Sequence, residues 1–312
     1  MQLSVIIPTF NRSAALDLCL EALSSQVVDA DWEIVIVDDG STDETEDVVQ
    51  RHAKTFPVPI AYQRQQNAGP AQARNVGIDA SRGAIILFIG DDIIASGDDY
   101  LSQHVAWHAG RFSAPGIAVL GLTTWNESMM TVTPFMRWLE SGGPQFAYGD
   151  LQDGDVADAR YFYTSNVSIK RAFLGDDRFD ERFRRAAFED FELAHRLERR
   201  GLAIAYNSTA RATHLHAISM LGYLRRARIA GQSAALVGQI HADLLERSPQ
   251  LFGPPRLPLH KRILINRITY PLLLLAGRLV ERHAVLKHLF TSLYLYQHRR
   301  GLRDGWARPI RT

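Results

Sequence analysis

The sequence predicts an α/β fold, with a mostly parallel sheet and flanking helices, followed by a C-terminal helical extension. Short apolar runs alternate with helical patterns through residues 1–122, the order expected of a parallel sheet. These runs are continuously apolar, as in strands that are covered on both faces. Polar residues follow the ends of several runs, where ligands bind in such sheets.

The first part of the chain contains five predicted strands and four predicted helices. The strands are residues 3–8, 33–38, 60–64, 84–89 and 116–122, and the helices are residues 13–25, 43–54, 70–80 and 98–109. The second helix opens with Ser41-Thr42-Asp43-Glu44, a capping sequence followed by first-turn acids.

The pattern changes after residue 122. Residues 123–160 mix aromatic, glycine and polar residues, which is typical of a binding loop. Regular structure is predicted again at 161–174, as a helix near 189–200, a strand near 203–206 and a helical segment at 218–245. The proline-rich residues 248–262 predict a linker.

The composition is that of a globular protein, with 46% hydrophobic and 22% charged residues in 312. The single cysteine, Cys19, excludes a disulfide framework and a cysteine zinc site. Residues 1–12 have no basic leader or small-residue cleavage site, so we expect a core strand rather than a signal peptide. We therefore expect a cytoplasmic protein and no nucleic-acid partner.

The net charge of +1 conceals a basic C-terminal segment. Residues 256–312 contain 12 Lys/Arg and 2 Asp/Glu, a net charge of +10, whereas residues 1–255 carry −9. The apolar run 268–277 is about half of what a membrane span needs. A second apolar face, formed by Val285, Leu286, Leu289, Phe290, Leu293 and Tyr294, suits an interfacial helix on anionic lipid. The alternative is a helix that packs on the catalytic body or on a second copy of the chain.

Acidic and polar residues cluster after three predicted strands. Pro8 and Thr9 end the first, Asp38-Asp39 follow the second, and Gly90-Asp91-Asp92 follow the fourth. Adjacent carboxylates beside a buried strand are costly unless they bind something, which favours a ligand site over a capped polar turn. Asp38 or Asp39 could accept hydrogen bonds from a uracil imide or ribose hydroxyls, or one of them could cap the next helix.

Seven motifs in order resemble those of family 2 glycosyltransferases, which have the GT-A nucleotide-sugar fold. They are VIIPTFNR (5–12), IVIVDDGSTDET (34–45), NAGPAQARNVGI (67–78), FIGDD (88–92), TSNVSIKR (164–171), FEDFELAHRL (188–197) and ATHLH (212–216). The resemblance covers roughly residues 1–220. It implies an inverting, metal-dependent, hexosyltransferase-like enzyme that uses a nucleoside diphosphate sugar, UDP-type by preference.

The resemblance also implies roles on the donor side. Asp39 would contact the base, Asp91 the ribose, and Asp92 a Mn²⁺ or Mg²⁺ ion. Gly90 departs from the family's D-x-D pattern, so one water-bridged carboxylate is missing. Gly69 starts a helix whose N-terminus, with Arg74, would face the nucleotide.

A second metal ligand is expected at His214 or His216, with His214 preferred by resemblance. Residues two apart on a strand point the same way, so both could face the site. Imidazole together with carboxylate favours Mn²⁺, whereas purely oxygen ligands favour Mg²⁺.

On the acceptor side, the resemblance implies that Asp190 is the general base and that Glu189 orients it or binds the acceptor. Ordinary helix capping is the alternative for both. Ser165, Asn166 and Trp125 are weaker acceptor-side candidates, with the 138–148 segment.

These expectations divide the chain into three functional parts. Residues 1–122 would bind the nucleotide sugar, 123–246 would bind the acceptor and carry the catalytic base, and 247–312 would form a basic amphipathic region. The acceptor would be a glycan or a lipid-linked molecule of the cell envelope. The tail would contact the inner face of the membrane, or equally well form an interface between two copies.

Two other functions are weaker. A nucleotidyltransferase would need a glycine-rich, basic phosphate loop, which PTFNRSAA (8–15) lacks. A silent nucleotide-sugar binder would not need Asp92, Asp190 and His214. A processive synthase with its own channel is disfavoured, because no segment predicts repeated membrane spans.

Overall fold

The structure, a computed structural model, describes residues 1–140, 146–255, 265–281 and 286–308. The chain forms two compact units. Unit 1 comprises Met1–Met130, Ala147–Arg185 and Glu189–His216. Unit 2 comprises Thr131–Phe146, Ala186–Phe188 and Ala217–Thr312. The predicted functional division at residues 122 and 246 stays a prediction.

Unit 1 is built on a mixed sheet, and six of the nine strands in its described residues run in one direction. The strand order is β3-β2-β1-β4-β8-β6-β9-β5, with β7 also paired to β9. The strands are β1 Leu3–Thr9, β2 Trp32–Asp38, β3 Ile60–Arg64, β4 Ile85–Ile89, β5 Ile93–Ala95, β6 Ile117–Trp125, β7 Val156–Ala157, β8 Asn166–Lys170 and β9 Ala203–His214. The prediction of a mostly parallel α/β sheet is confirmed.

The helices of unit 1 cover the sheet. They are α1 Ser13–Ser24, α2 Thr45–Ala53, α3 Pro70–Ala80, α4 Tyr100–Ala109, α6 Arg171–Leu174 and α7 Glu189–Glu198. The core strands β1, β2 and β4 are buried along almost their whole length, which explains their continuously apolar sequences. Leu16, Cys19, Leu20 and Leu23 of α1 pack into the same core at helical spacing.

Two differences from the predicted elements bear on the site. The predicted strand near 203–206 extends to His214, so β9 is 12 residues long. Its pairing with β6 shifts register between Gly121 and Leu122, a bulge of the kind that often lies near functional sites. The short strand β5 was not predicted, and it pairs antiparallel with the end of β9.

Unit 2 is helical in its described residues. Its helices are α5 Pro134–Glu140, α8 Met220–Ile240, α9 Ala242–Arg247, α10 Pro249–Phe252, α11 Thr269–Val280 and α12 Lys287–Trp306. The predicted helical segment 218–245 breaks at His241, whose backbone is extended. The first residues of the predicted linker instead form α10, and residues 256–262 of it lie outside the described residues.

The apolar face predicted at 285–294 is covered by protein at its C-terminal end, whereas Leu286 is exposed. Phe290 and Leu293 of α12 are buried, and the Phe290 ring lies 5.1 Å from that of Phe135 in α5. Tyr294 stacks on Tyr223 of α8 at 6.0 Å. The aromatic side chains of this helix therefore find partners within unit 2, as the helix-packing alternative expects, and membrane contact by the C-terminal segment stays a prediction. Val285 lies outside the described residues.

Helices α8 and α12 approach closely through glycine. A Cβ atom at Gly301 would lie 1.9 Å from the Arg228 carbonyl oxygen, and one at Gly231 would lie 1.9 Å from that of His298. Among the helices of the described ranges, none is both long enough and apolar enough to cross a bilayer.

Candidate active site at the carboxyl edge of the sheet

The sequence-predicted donor residues meet at one edge of the sheet. Thr9 and Asp38 are the last residues of β1 and β2, and these parallel strands are in register at that pair. Pro8 precedes Thr9 and is partly exposed. Asp91 and Asp92 follow the parallel strand β4. The carboxyl ends of these strands therefore carry the polar side chains, as the alternation of elements predicted.

An arginine joins the two adjacent carboxylates. Arg12 Nη1 donates to Asp91 Oδ1 at 2.8 Å and to Asp92 Oδ2 at 2.7 Å. Thr9 Oγ1 donates to Asp91 Oδ2 at 2.8 Å. Both carboxylates are buried, whereas the Arg12 side chain keeps a third of its surface in solvent. Sequence reasoning missed Arg12, although it closes the PTFNR motif.

Two histidines complete this cluster. His214 Nε2 lies 3.1 Å from Asp92 Oδ2, and His216 Nδ1 lies 3.3 Å from the same oxygen. The short strand β5 explains the meeting, because Ile93 pairs with His214 and places Asp92 beside it. The structure thus brings both predicted histidines to Asp92, although His216 lies just beyond the strand.

Aromatic stacking fixes the His214 ring. Its plane lies 8° from that of Trp125, with 5.3 Å between ring centroids, and these residues are paired in the β6–β9 register. Trp125, predicted as a weak acceptor-side residue, therefore contacts His214.

The two carboxyl groups have pKa values displaced in opposite directions. Burial and the charge of Asp92 raise the pKa of Asp91 to about 6, although Arg12 and Thr9 act against the rise. Burial also acts to raise the pKa of Asp92, but His214, His216 and Arg12 outweigh it and hold that pKa well below its usual range. Asp92 is consequently the carboxylate that stays anionic, as a metal ligand must.

The presence of glycine at position 90 has a structural explanation. A Cβ atom there would lie 2.8 Å from Asp92 Oδ1, closer than a carbon and an oxygen normally approach. A larger residue would push the Asp92 carboxylate. The missing first acid of the motif therefore leaves room for Asp92 in its present position.

Asp38 and Asp39 hold loops around the edge. Asp38 Oδ1 accepts from the Ser41 N–H at 2.7 Å, and its Oδ2 accepts from the Tyr62 hydroxyl at 2.7 Å. Because this carboxylate is buried and each of its oxygens accepts a hydrogen bond, Asp38 is suited to stabilise the loop that follows β2. Its direct contact with a nucleotide stays a prediction.

Asp39 organises the start of α3. Its oxygens accept from the backbone N–H groups of Ala68 and Gly69 at 2.8 and 2.9 Å, and from Gln65 Nε2 at 2.7 Å. Gly69 has φ of 98°, and a Cβ atom there would lie 2.3 Å from the Arg184 carbonyl oxygen. Only glycine fits this position without strain.

Arg74 leads from α3 to the predicted base. Its Nη1 donates to Glu189 Oε1 at 2.9 Å, and both side chains are buried. Asp190, the next residue, is partly exposed at the start of α7 and accepts from the Phe191 N–H at 2.8 Å. Burial and the neighbouring Glu189 charge raise the pKa of Asp190 to about 7, against the opposing charge of Arg74. A carboxylate with such a pKa is suited to take a proton near neutral pH.

One acceptor-side candidate has a structural role. Asn166 is fully buried, and its amide accepts from Tyr100 and His104 and donates to the carbonyl groups of Leu122 and Ala210. It has no surface to offer an acceptor, so that expectation was wrong. Its place in the core strand β8 explains why.

The loop after β1 contributes features that the sequence analysis did not single out. Asn11 has φ of 53°, and its Oδ1 accepts from the Thr42 N–H at 2.7 Å, which ties this loop to the one after β2. Phe10 beside it is 44% exposed and offers a flat surface on which a base could stack.

The fold is an α/β fold of the GT-A type. Residues 4–119 match the sequence model of "Glycosyl transferase family 2". The prediction of the family is thereby confirmed.

Curated relatives have related names. The chain is 32% identical over 222 residues to "Validoxylamine A glucosyltransferase" of Streptomyces hygroscopicus subsp. jinggangensis, a match covering 64% of this chain and 52% of the relative. It is 39% identical over 89 residues to a "PGL/p-HBAD biosynthesis glycosyltransferase" of Mycobacterium bovis, covering 28% of this chain and 34% of the relative. The chain thus spans about half the length of the first of these relatives.

Solved structures share the fold. The mannosyltransferase PcManGT of Pyrobaculum calidifontis, solved with GDP-Man and Mn²⁺, superposes with a TM-score of 0.64 at 19% identity, covering 95% of this chain and 85% of that one. S. aureus TarS 1–349 in complex with UDP superposes with a TM-score of 0.55 at 17% identity, covering 98% and 89%.

Proposed function

We propose that this chain transfers a sugar from a nucleoside diphosphate sugar, UDP-type by preference, to an acceptor hydroxyl with inversion at the anomeric carbon. The observation that carries the proposal is the cluster of Asp92, His214 and His216 at the carboxyl edge of the sheet. Nucleotide ligands bind at this edge in open α/β folds. A structural neighbour also supports a metal and a nucleotide sugar as ligands, because PcManGT was solved with both.

The donor atoms of this cluster fit a divalent cation. One carboxylate oxygen and one nitrogen from each histidine lie within 4.8 Å of one another. Mixed carboxylate and imidazole ligands suit Mn²⁺, with Mg²⁺ as the alternative. When bound, the cation would act as a Lewis acid that neutralises the departing diphosphate.

The chain's own groups supply the other requirements. Asp39 accepts from Gln65 and from the N–H groups at the start of α3, and the remaining lone pair of its Oδ2 could accept from a base imide. Asp91 would hold the ribose. Arg74 fixes Glu189, which in turn raises the pKa of the neighbouring Asp190. Asp190 would then take the proton of the acceptor hydroxyl as that oxygen attacks the anomeric carbon.

A donor panel tests the proposed function. UDP-, GDP- and dTDP-sugars are incubated with the chain and Mn²⁺, and release of the nucleoside diphosphate is followed. We expect at least one sugar nucleotide to be hydrolysed slowly with Mn²⁺ and not with EDTA. Absence of both binding and hydrolysis across the panel would contradict the proposal, and hydrolysis that is unaffected by EDTA would contradict the role of the metal.

The acceptor is proposed to lie at a membrane surface, as a lipid-linked or other envelope glycan. The support is an apolar face on α11, where Ile268, Leu272, Leu275 and Leu279 recur at helical spacing and are 57–81% exposed. Arg267 and Arg278 flank this face within the segment of net charge +10. Exposed leucines beside basic residues suit the boundary of an anionic bilayer.

Vesicle flotation tests this surface. The full chain is compared with a Leu272→Glu/Leu279→Glu variant on vesicles with and without anionic lipid. Val27→Glu, which changes a 66% exposed residue of unit 1, is the matched control. We expect the wild type and the control to float with anionic vesicles and the double variant to remain in solution. Equal flotation of all three would contradict the assignment, and a dimer dissociated by the double variant would assign the face to a second copy.

A further inference from the structure

Arg12 occupies the anionic side of the proposed metal site. Its guanidinium contacts Asp91, Asp92 and the Nδ1 atom of His216. Of these residues, Asp92 and His216 are also members of the candidate metal-ligand set, and Asp92 Oδ2 is the oxygen that lies nearest to both histidines. Two residues of the candidate metal site therefore already contact a positive charge of the chain, the guanidinium of Arg12.

A guanidinium and a divalent cation compete for these atoms. Each would take the same lone pairs of Asp92 Oδ2, and two positive charges this close repel each other. Binding of a metal ion through Asp92 and His216 therefore requires Arg12 to withdraw. Its departure leaves Asp91 with the hydroxyl of Thr9 as its partner.

Arg12 has the reach and the freedom to withdraw. It lies in the loop between β1 and α1, directly after Asn11, and a third of its side-chain surface is exposed. A guanidinium that leaves a carboxylate finds an equivalent partner in a phosphate, which also accepts two parallel N–H bonds. The proposed donor would bring two phosphate groups to this edge of the sheet.

We propose that Arg12 is an exchangeable cation that couples metal binding to donor binding. Without donor it holds Asp91 and Asp92 and keeps the affinity for the metal low. When the nucleoside diphosphate binds, Arg12 transfers to its phosphate oxygens and frees the carboxylate for the metal. The two ligands consequently favour each other, and the coupling depends on the charge at position 12. This inference rests on the proposed donor class and metal site.

A fixed supporting role for Arg12 predicts the opposite effect. If the arginine only positioned Asp92, its removal would disorder the ligand and weaken metal binding. If it is a competitor, its removal strengthens metal binding in the absence of donor. The sign of the change separates the two roles without any measurement of turnover.

The experiment is a Mn²⁺ titration followed by electron paramagnetic resonance, without nucleotide and with saturating UDP or GDP. The variants are Arg12→Gln, which removes the charge, and Arg12→Lys, which keeps it. Arg160→Gln is the control, because Arg160 makes an ion pair with Asp158 on the surface of the same unit. Circular dichroism of each variant checks that it is folded.

For Arg12→Gln we expect Mn²⁺ to bind at least about fivefold more tightly without nucleotide, the lower end of ordinary coupling factors. The gain in Mn²⁺ affinity caused by the nucleotide should shrink by a similar factor, and Arg12→Lys, which keeps the charge without the guanidinium fork, should change both quantities less than Arg12→Gln does. Unchanged or weaker Mn²⁺ binding by Arg12→Gln alone would overturn the inference. If no protein bound Mn²⁺ with either nucleotide, the proposed metal site would fail as well.

Discussion

Replacing Asp190 by Asn removes the proposed base while keeping the side chain's size. The pKa of Asp190 is about 7 because of burial and the Glu189 charge. For a base with this pKa, turnover should fall about tenfold for each pH unit below 7 and level off above it. The Asn variant should lose about 10²-fold or more of its turnover at pH 8, the usual contribution of a general base. The turnover that remains should no longer fall as the pH is lowered below 7, so the acid limb of the pH profile should be absent.

The same substitution should raise stability at neutral and alkaline pH. A carboxyl whose pKa is raised by folding binds its proton more tightly in the folded state, so stability is lost as pH rises from about 4 through 7. A rise from the ordinary 3.8 to about 7 corresponds to at most about 4 kcal/mol above pH 7. Because Asp190 is partly exposed, we expect a gain of about 1–3 kcal/mol at pH 8 and none below pH 4.

The assay is metal-dependent hydrolysis of the best donor between pH 5.5 and 9, together with UDP or GDP binding by calorimetry and urea unfolding at pH 4 and 8. Asp158→Asn, which removes an exposed charge, is the matched control. Nucleotide affinity should be unchanged in both variants. Near-normal turnover of Asp190→Asn, or an acid limb that persists near pH 7, would refute the assignment of the base.

Three further predictions concern residues around the same edge. Glu189→Gln should move the acid limb below pH 7, because it removes a charge that raises the pKa of Asp190; a limb that stays in place would contradict that coupling. Gly69→Ala should lower the free energy of unfolding by about 1–3 kcal/mol through backbone strain. Gly149→Ala is the control and should have little effect, because the space around its Cβ is open. Similar urea midpoints for the two variants would contradict the strain at Gly69. Gly90→Asp should weaken Mn²⁺ binding rather than restore a stronger motif, because its Cβ would press on the metal-site carboxylate; tighter binding by calorimetry would contradict this.

The sequence predicted the sheet well because its strands are buried and its ligand edge is polar. The runs that became β1, β2 and β4 are mainly apolar, and the acids at the ends of β2 and β4 marked the site. These signals are local, so they can be read without knowing which elements are neighbours. The seven motifs in order then indicated the family resemblance, and that resemblance indicated the catalytic candidates.

The missed features depend on contacts between distant parts of the chain. The role of Arg12 requires the loop after β1 to meet Asp92, which lies 80 positions away. The three residues of β5 form a strand only because the long β9 lies beside them. The sequence leaves the face of α12 open between a lipid surface and a packed helix, because nothing in its own residues reveals the aromatic partners of Phe290.

The proposed role of Asp92 as a metal ligand is tested by calorimetry of nucleotide binding to the wild type and to Asp92→Ala, with and without Mn²⁺. Asp92 Oδ2 is the carboxylate oxygen that lies 3.1 Å from His214 Nε2 and 3.3 Å from His216 Nδ1. If Asp92 is a metal ligand, Mn²⁺ should strengthen UDP or GDP binding to the wild type and should have no such effect on the Asp92→Ala variant. If Mn²⁺ strengthened nucleotide binding equally in both proteins, the carboxylate after β4 would belong to a polar turn and not to a metal site.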